Sequence, residues 1–507
     1  MHGNDRTTRK GTHRSRLRKA LALFGGALLA GATLTLTSPQ AGAAVADQDP
    51  AAAAGDFQQV TLAKGEAETG EPMSLAVLPD RSVLHTSRDG ELRLTDAAGN
   101  TKIAGKLAVY SHDEEGLQGV GVDPDFATNR FIYLYYAPPL NTPAGDAPET
   151  GAAADFTPFD GVNRLSRFVL KTDGTLDAAS EKKIIDVPAS RGICCHVGGQ
   201  IDFDANGNLY LSTGDDTNPF SSGGYAPLDE RPERHPAYDA QRSAANSYDL
   251  RGKLLRIHVE ADGSYTIPEG NLFAPGTEGT LPEIYGMGLR NPFRFSVDRR
   301  RGIVLLADYA PDAPVPSPER GPAGTGKWVI VREASNFGWP YCATPSLPYV
   351  DFDFATATSG APFDCNAPVN ESPRNTGVST LPPVAAPDVE YSYRVSQRFP
   401  ELGAGGVGPM AGPAYVYDAT NPSPTKWPPE FDDAVLFYDW TRDFVAAFHF
   451  PADGSSLRIE PLSREIRVDN PIDMEFGPDG ALYVLGYGDG YYSANPDARL
   501  VRVDAVA

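Results

Sequence analysis

An imidazole and a pair of carboxylates fall close together at one place in this sequence. His196, in Cys194-Cys195-His196-Val197-Gly198-Gly199-Gln200, stands one alternating segment ahead of Ser212-Thr213-Gly214-Asp215-Asp216. A carboxylate beside an imidazole fixes its tautomer and raises its basicity, which is what a general base requires. On residue types alone His196 reads as that base or as a satisfied structural histidine. The two aspartates read as its partner, as an Asp turn or as a calcium loop. Downstream, Arg290 and Asn291 precede Pro292 in Gly286-Met287-Gly288-Leu289-Arg290-Asn291. Both cannot face a core, so one is presented to a ligand. Asp308-Tyr309-Ala310-Pro311-Asp312 is an acidic turn suited to calcium or to solvent, and His112-Asp113-Glu114-Glu115 is a solvated face or a sugar or metal site.

Six hairpin-like units must position these residues. They begin at Ser74, Gly119, Gln200, Phe293, Ala414 and Ile472, and each joins two runs of apolar and polar alternation through an Asp, Asn, Gly or Pro turn. That pattern predicts antiparallel hairpins buried on one face, and six of them predict an all-β, six-bladed β-propeller with long loops between blades. The terminal Asp497-Ala498-Arg499-Leu500-Val501-Arg502-Val503 run alternates and is placed to pair with the strand from Phe57, closing the ring. The insertions at 137–160, 217–247 and 309–380 are expected to build the binding face. No long helical periodicity, dinucleotide-binding glycine motif, phosphate-binding loop or nucleophile elbow is present, so the corresponding dehydrogenase, phosphotransferase and hydrolase folds are excluded.

Composition agrees: 51 Gly and 45 Pro among 507 residues favour turns over long helices. With 66 acidic against 44 basic residues the net charge is −22, which disfavours nucleic acid as a partner. Residues 1–43 have the layout of a signal peptide, with a basic start, an uncharged stretch from Ala20 to Thr37 and Ala41-Gly42-Ala43. The chain is therefore expected to be secreted, without stable membrane insertion once this leader is removed, followed by a flexible segment over 44–56 and the propeller over 57–503. Removing the leader's net six positive charges takes −22 to about −28. In an exported protein Cys342 and Cys365 are expected to staple a loop, whereas the adjacent Cys194 and Cys195 either close a ring or stay free, with metal ligation through Cys-Cys-His a third reading that three adjacent residues suit poorly.

Taken in order, GLQGVGVDPDF, CHVGGQIDFDANGNLYLSTGDD, GKLLRI, GLRNPFRF and NFGWP resemble the soluble glucose/sorbosone dehydrogenases. These are six-bladed propellers that use pyrroloquinoline quinone (PQQ) with calcium. The resemblance implies oxidation of the anomeric hydroxyl of an aldose, with electrons passing to an unidentified acceptor. His196 matches the family's general base, Asp215 its orienting carboxylate, and Arg290 and Asn291 the pair contacting the quinone. Glu114 falls where the family places a substrate-contacting amide, and Ala310 and Pro311 where backbone carbonyls bind calcium, with Asp308 at the head of that loop. The family holds the PQQ carboxylates with a Lys and two Arg from late blades. Here the matching stretches read Asp439-Trp440-Thr441-Arg442-Asp443 and Asp469-Asn470-Pro471-Ile472-Asp473, leaving Arg442, Arg464 or Arg467 as substitutes. Two further readings follow from that departure: a carbohydrate-binding propeller without catalysis, and a calcium-dependent lactonase or hydrolase.

Overall fold

Short alternating runs cannot bury their apolar side alone, so they pair edge to edge and stack face to face. In the computed structural model, which describes residues 56–450 and 457–506, they form six blades, five of four strands and the third enlarged to six. The first blade runs through Pro72–Val77, Val83–Ser87, Glu91–Thr95 and Thr101–Lys106. The innermost strands of the others are Leu117–Val122, Gly198–Phe203, Phe295–Asp298, Pro409–Ala414 and Pro471–Phe476. Each inner strand touches the next, and the last returns to the first. Asp56–Lys64 lies antiparallel to Arg499–Val506, with Phe57 opposite Ala505, so the ring closes through the pairing expected from the sequence. The expected leader and residues 44–55 lie outside the described residues.

The axis is crowded. Gly119 and Gly199 belong to neighbouring inner strands, and a Cβ on Gly119 would lie 1.9 Å from the Gly199 carbonyl oxygen. Outward from the axis, aromatic rings fill the wedges between blades. Trp328 stacks on Tyr391 at 4.7 Å and meets Phe448 edge-on, and Trp427 donates its indole N–H to the Val503 carbonyl. The α-helices among the described residues have four residues each, and none is long and apolar enough to cross a membrane.

One inner strand departs from the sequence reading. In the fifth unit the axial strand is Pro409–Ala414 rather than the alternating run that starts at Ala414. The axis admits only small residues there: a Cβ on Gly412 would meet Met474 Sδ at 2.8 Å. Tyr415-Val416-Tyr417 continues outward as a loop, with Val416 exposed.

The 309–380 insertion carries a small hairpin, Val350–Asp353 with Thr358–Pro362, and places Cys342 against Cys365 at bonding distance. This bond spans 23 residues. Replacing both cysteines by serine is expected to lower stability by about 3 kcal/mol, because the open chain regains loop entropy. A urea midpoint unchanged from that of the parent would exclude the staple.

Candidate active site

The cavity at one end of the ring is about 380 Å³ and lies among the inner strands and the loops that leave them. His196 enters it from the turn ahead of Gly198–Phe203, with its backbone in the left-handed region at φ 72°. Three contacts hold it there. Its backbone N–H donates to Glu114 Oε2 at 2.6 Å, its carbonyl accepts from Asp216 N at 3.3 Å, and Nδ1 lies 2.6 Å from Asp215 Oδ1. Asp215 is fully buried. Its second oxygen accepts the indole N–H of Trp339 at 2.6 Å, and Oδ1 also accepts from Thr217 N. A carboxylate held from that side keeps the proton on Nδ1 and leaves the Nε2 lone pair free, and among the described residues Nε2 has no protein partner.

The neighbouring carboxylate does something else. Asp216 turns away, accepts Ser190 N with both oxygens and pairs with Arg242 at 3.0 Å and Arg251 at 2.8 Å. Asp215 alone serves the imidazole.

Arg290 and Asn291 border the same cavity from the turn before Phe295–Asp298. Asp308 sets that turn, since its Oδ1 accepts both backbone N–H groups, at 3.0 and 2.9 Å, while its other oxygen lies 3.3 Å from Lys327 Nζ. Asn291 Oδ1 accepts Gly198 N, which joins this turn to the His196 segment. Arg290 is 5% exposed, and its guanidinium lies over the Trp339 ring, 6.0 Å from the ring centroid, with no protein hydrogen-bond partner among the described residues.

Asp308 serves as a cap on the backbone N–H groups of Arg290 and Asn291. Ala310 and Pro311 do not line the cavity, and the Pro311 carbonyl accepts the Tyr393 hydroxyl at 3.2 Å. Nor does Arg442 reach the cavity. Its guanidinium is spent on the carbonyls of Gly406, Leu402 and Ser392, at 2.6 to 2.9 Å, and lies over the Tyr391 ring. Arg464 and Arg467 are exposed and lie outside the lining. The late-blade wall is instead aromatic, built by Trp440 and Tyr487 with their rings edge-on at 6.0 Å.

The structure also brings Cys194 and Cys195 together as a bonded pair. Cys195 borders the cavity beside His196, and the Tyr492 hydroxyl lies 3.5 Å from Cys194 Sγ.

The family model for glucose/sorbosone dehydrogenase matches residues 69–364, which include every residue of the His196, Asp215, Trp339 and Arg290 constellation. This chain belongs to the glucose/sorbosone dehydrogenase family. Within that family's curated relatives it is 27% identical to the aldose sugar dehydrogenase YliI of Escherichia coli, over 61% of this chain and 70% of that one. It is 22% identical to quinoprotein glucose dehydrogenase B of Acinetobacter calcoaceticus, over 82% and 83%. The propeller resembles that of the apo-form soluble aldose sugar dehydrogenase of Escherichia coli, with TM-score 0.55 and 19% identity over 89% of this chain and 99% of that one.

Behind the wall of this glucose/sorbosone dehydrogenase site lies Glu115, 7% exposed, with Oε2 3.3 Å from Arg191 Nε. Burial pushes its pKa up from 4.5 to about 8; Arg191 opposes the shift, and Asp216 and Asp113 add to it. A carboxyl kept protonated by folding contributes stability that is fully present below pH 4.5 and lost as pH rises through about 8. Glu115→Gln is therefore expected to flatten the fall in melting temperature between pH 5 and about pH 8. Equal falls in parent and variant would reject this account.

Proposed function

We propose that this protein is an exported sugar dehydrogenase that oxidises the anomeric hydroxyl of an aldose to a lactone, with PQQ as its cofactor. The observation that carries the reading is the free Nε2 of His196, backed by Asp215, facing the cavity that the unpartnered Arg290 guanidinium also faces. Family membership supports the oxidoreductase class. The signal-peptide pattern and the two cysteine pairs support export.

The cavity's residues suit a flat quinone. Trp440, Tyr487 and Tyr309 supply apolar walls, and a buried cation without a protein hydrogen-bond partner calls for an anionic or carbonyl oxygen, which Arg290 would take beside Asn291. When bound, PQQ would supply a hydride acceptor. The remaining work falls to the chain. His196 Nε2 accepts the proton of the substrate hydroxyl, Asp215 stabilises the resulting imidazolium, and Trp339 keeps Asp215 aimed at Nδ1. Arg290 stabilises negative charge that develops at its end of the cavity.

A second reading rests on charge. Of the two cations on the lining, Arg88 is tied to Glu71 at 2.8 Å, and Glu71, Glu114 and Asp312 face the same space. That balance is weak for a tricarboxylate and would suit a carbohydrate-binding propeller without catalysis. Titrating the purified protein with PQQ, following quinone absorbance, and then supplying an aldose panel with an artificial electron acceptor separates the two. Saturable PQQ uptake with sugar-dependent acceptor reduction is expected. Sugar binding with neither uptake nor turnover would establish the binding module.

A further inference from the structure

Each inner strand of the ring serves two cavities. The one that holds His196 takes the starts of these strands, among them Met73, Met410 and Ile472. A second cavity, of about 400 Å³, takes later positions of the same strands, among them Leu75, Pro413 and Glu475, and among the described residues none lines both. Arg294 stands between them. Its guanidinium donates to the carbonyls of Met73 and Ile472 on the first lining and lies 3.7 Å from Asp473 on the second.

The second cavity offers acceptors that the protein does not use. Among the described residues the Gln200 side-chain amide has no hydrogen-bond partner, and its oxygen is buried. Glu475 accepts the Val77 N–H with one oxygen at 2.8 Å and leaves the other without a partner among those residues. Burial pushes the Glu475 pKa up to about 8, with Asp202 and Asp473 adding to the shift against the Val77 N–H and Arg299, so positive charge is in short supply there. The cations on the lining are spent elsewhere. Lys426 Nζ donates to the Asp418 and Asn421 carbonyls at 2.9 and 2.6 Å, and Arg300 pairs with Asp432 at 3.0 Å and with Asp433. Arg299 donates to the Phe203 carbonyl at 2.9 Å and lies 3.3 Å from Asp202. The space far exceeds that of a metal ion, and Val297, Met474 and Phe476 give it apolar sides.

We propose that this second cavity binds a small alkyl diammonium ion, with one ammonium group at Gln200 and Glu475 and the methylene chain against Met474 and Phe476. An ammonium brings three donors and a charge to oxygens that lack both. The chain covers apolar side chains that a bare metal ion would leave wet. Asp418 on the same lining receives the second ammonium, since Thr420 engages only its Oδ1. Five of the six blades contribute to the lining, so occupancy stabilises the closed ring by mass action. The cavity stands apart from His196, whatever reaction that histidine serves.

Calorimetric and thermal titration of the purified protein with putrescine and with the matching butanediol tests the site. Putrescine is expected to bind saturably and to raise the melting temperature, and the diol, alike in length but uncharged, to bind at least about tenfold more weakly. Gln200→Ala removes an amide that bonds nothing in the protein, and Glu475→Gln keeps an acceptor for the Val77 N–H. Each should weaken putrescine binding about tenfold, with His196→Ala binding as the parent does. Absence of putrescine binding, a diol that binds as tightly, or binding lost in His196→Ala would overturn the proposal. Affinity unchanged in both cavity variants would overturn it too, by tracing the attraction to the net charge of −22 as a whole. Calcium binding that both variants abolish, without putrescine binding, would give the cavity to a metal ion instead.

Discussion

His196→Ala is expected to lower PQQ-dependent sugar oxidation by about 10² to 10⁴-fold while leaving the fold intact. The imidazole is the cavity's only base whose partner and free nitrogen are both defined. Its loss costs proton transfer and little packing. Asp215 would keep the Trp339 indole and the Thr217 N–H, so the deletion does not strand a buried carboxylate without donors. Asp215→Asn should approach the same loss by a different route. Both oxygens of Asp215 face N–H donors, Oδ2 the Trp339 indole and Oδ1 the Thr217 N–H beside Nδ1, so an amide nitrogen meets a donor in either orientation and the imidazole loses both its anionic partner and its fixed aim. Trp339→Phe removes only the brace on Asp215, so it should lower kcat more than it raises KM, with a smaller loss than either. The measurements are steady-state turnover with PQQ and an artificial acceptor, alongside PQQ binding and melting temperature. A His196→Ala enzyme that keeps more than about a tenth of parental turnover would remove His196 from the base role.

His196 and Asp215 were legible in the sequence because both sit at the ends of one hairpin, Gly198–Phe203 with Asn208–Thr213, whose alternation is plain. Trp339 completes the constellation from 124 residues downstream, inside an insertion with no repeat of its own. The NFGWP motif marked it as belonging to the family, and nothing local showed that its indole would reach a carboxylate. The polar residues nearest the site were the hardest to assign, because one side chain has several uses. Asp308 has the charge of a metal ligand and acts as a cap on two backbone N–H groups; Arg442 has the charge of a cofactor clamp and instead satisfies loop carbonyls. A buried loop needs such donors as much as a ligand does, and sequence does not say which will win. The hairpin pattern itself failed in one place for a related reason. At the axis of the fifth blade, steric crowding selects Gly, Ala and Pro, residues that carry no strand signal.

Arg294→Met is expected to destabilise the propeller by about 3 to 5 kcal/mol, the largest effect on stability foreseen for a single substitution here. Arg294 is fully buried beside the axis. Its guanidinium donates to the Ile472 carbonyl at 2.9 Å, to the Phe293 carbonyl at 2.6 Å and to the Met73 carbonyl, and Nε lies 3.7 Å from Asp473 Oδ2. Those partners belong to the fourth, sixth and first blades, so one side chain just ahead of the fourth inner strand ties three blades together. Asp473 extends the tie, accepting Ser74 Oγ and Leu75 N at 2.9 Å. Methionine fills much of the volume but donates nothing. The carbonyls would then be left without these donors and Asp473 without a counter-charge, in a place where burial already pushes the carboxyl's pKa upward. Lysine should not rescue, since a single ammonium on a flexible stem cannot match a planar fork aimed at three blades. Arg294→Met with Asp473→Leu should recover part of the loss, because removing both charges costs less than stranding one. Urea denaturation read by intrinsic fluorescence measures each step. A single variant within about 1 kcal/mol of the parent would mean that strand packing alone holds the axis. Met73, Phe293 and Ile472 also line the His196 cavity, so a true loosening of this tie should raise KM for sugar even in molecules that remain folded.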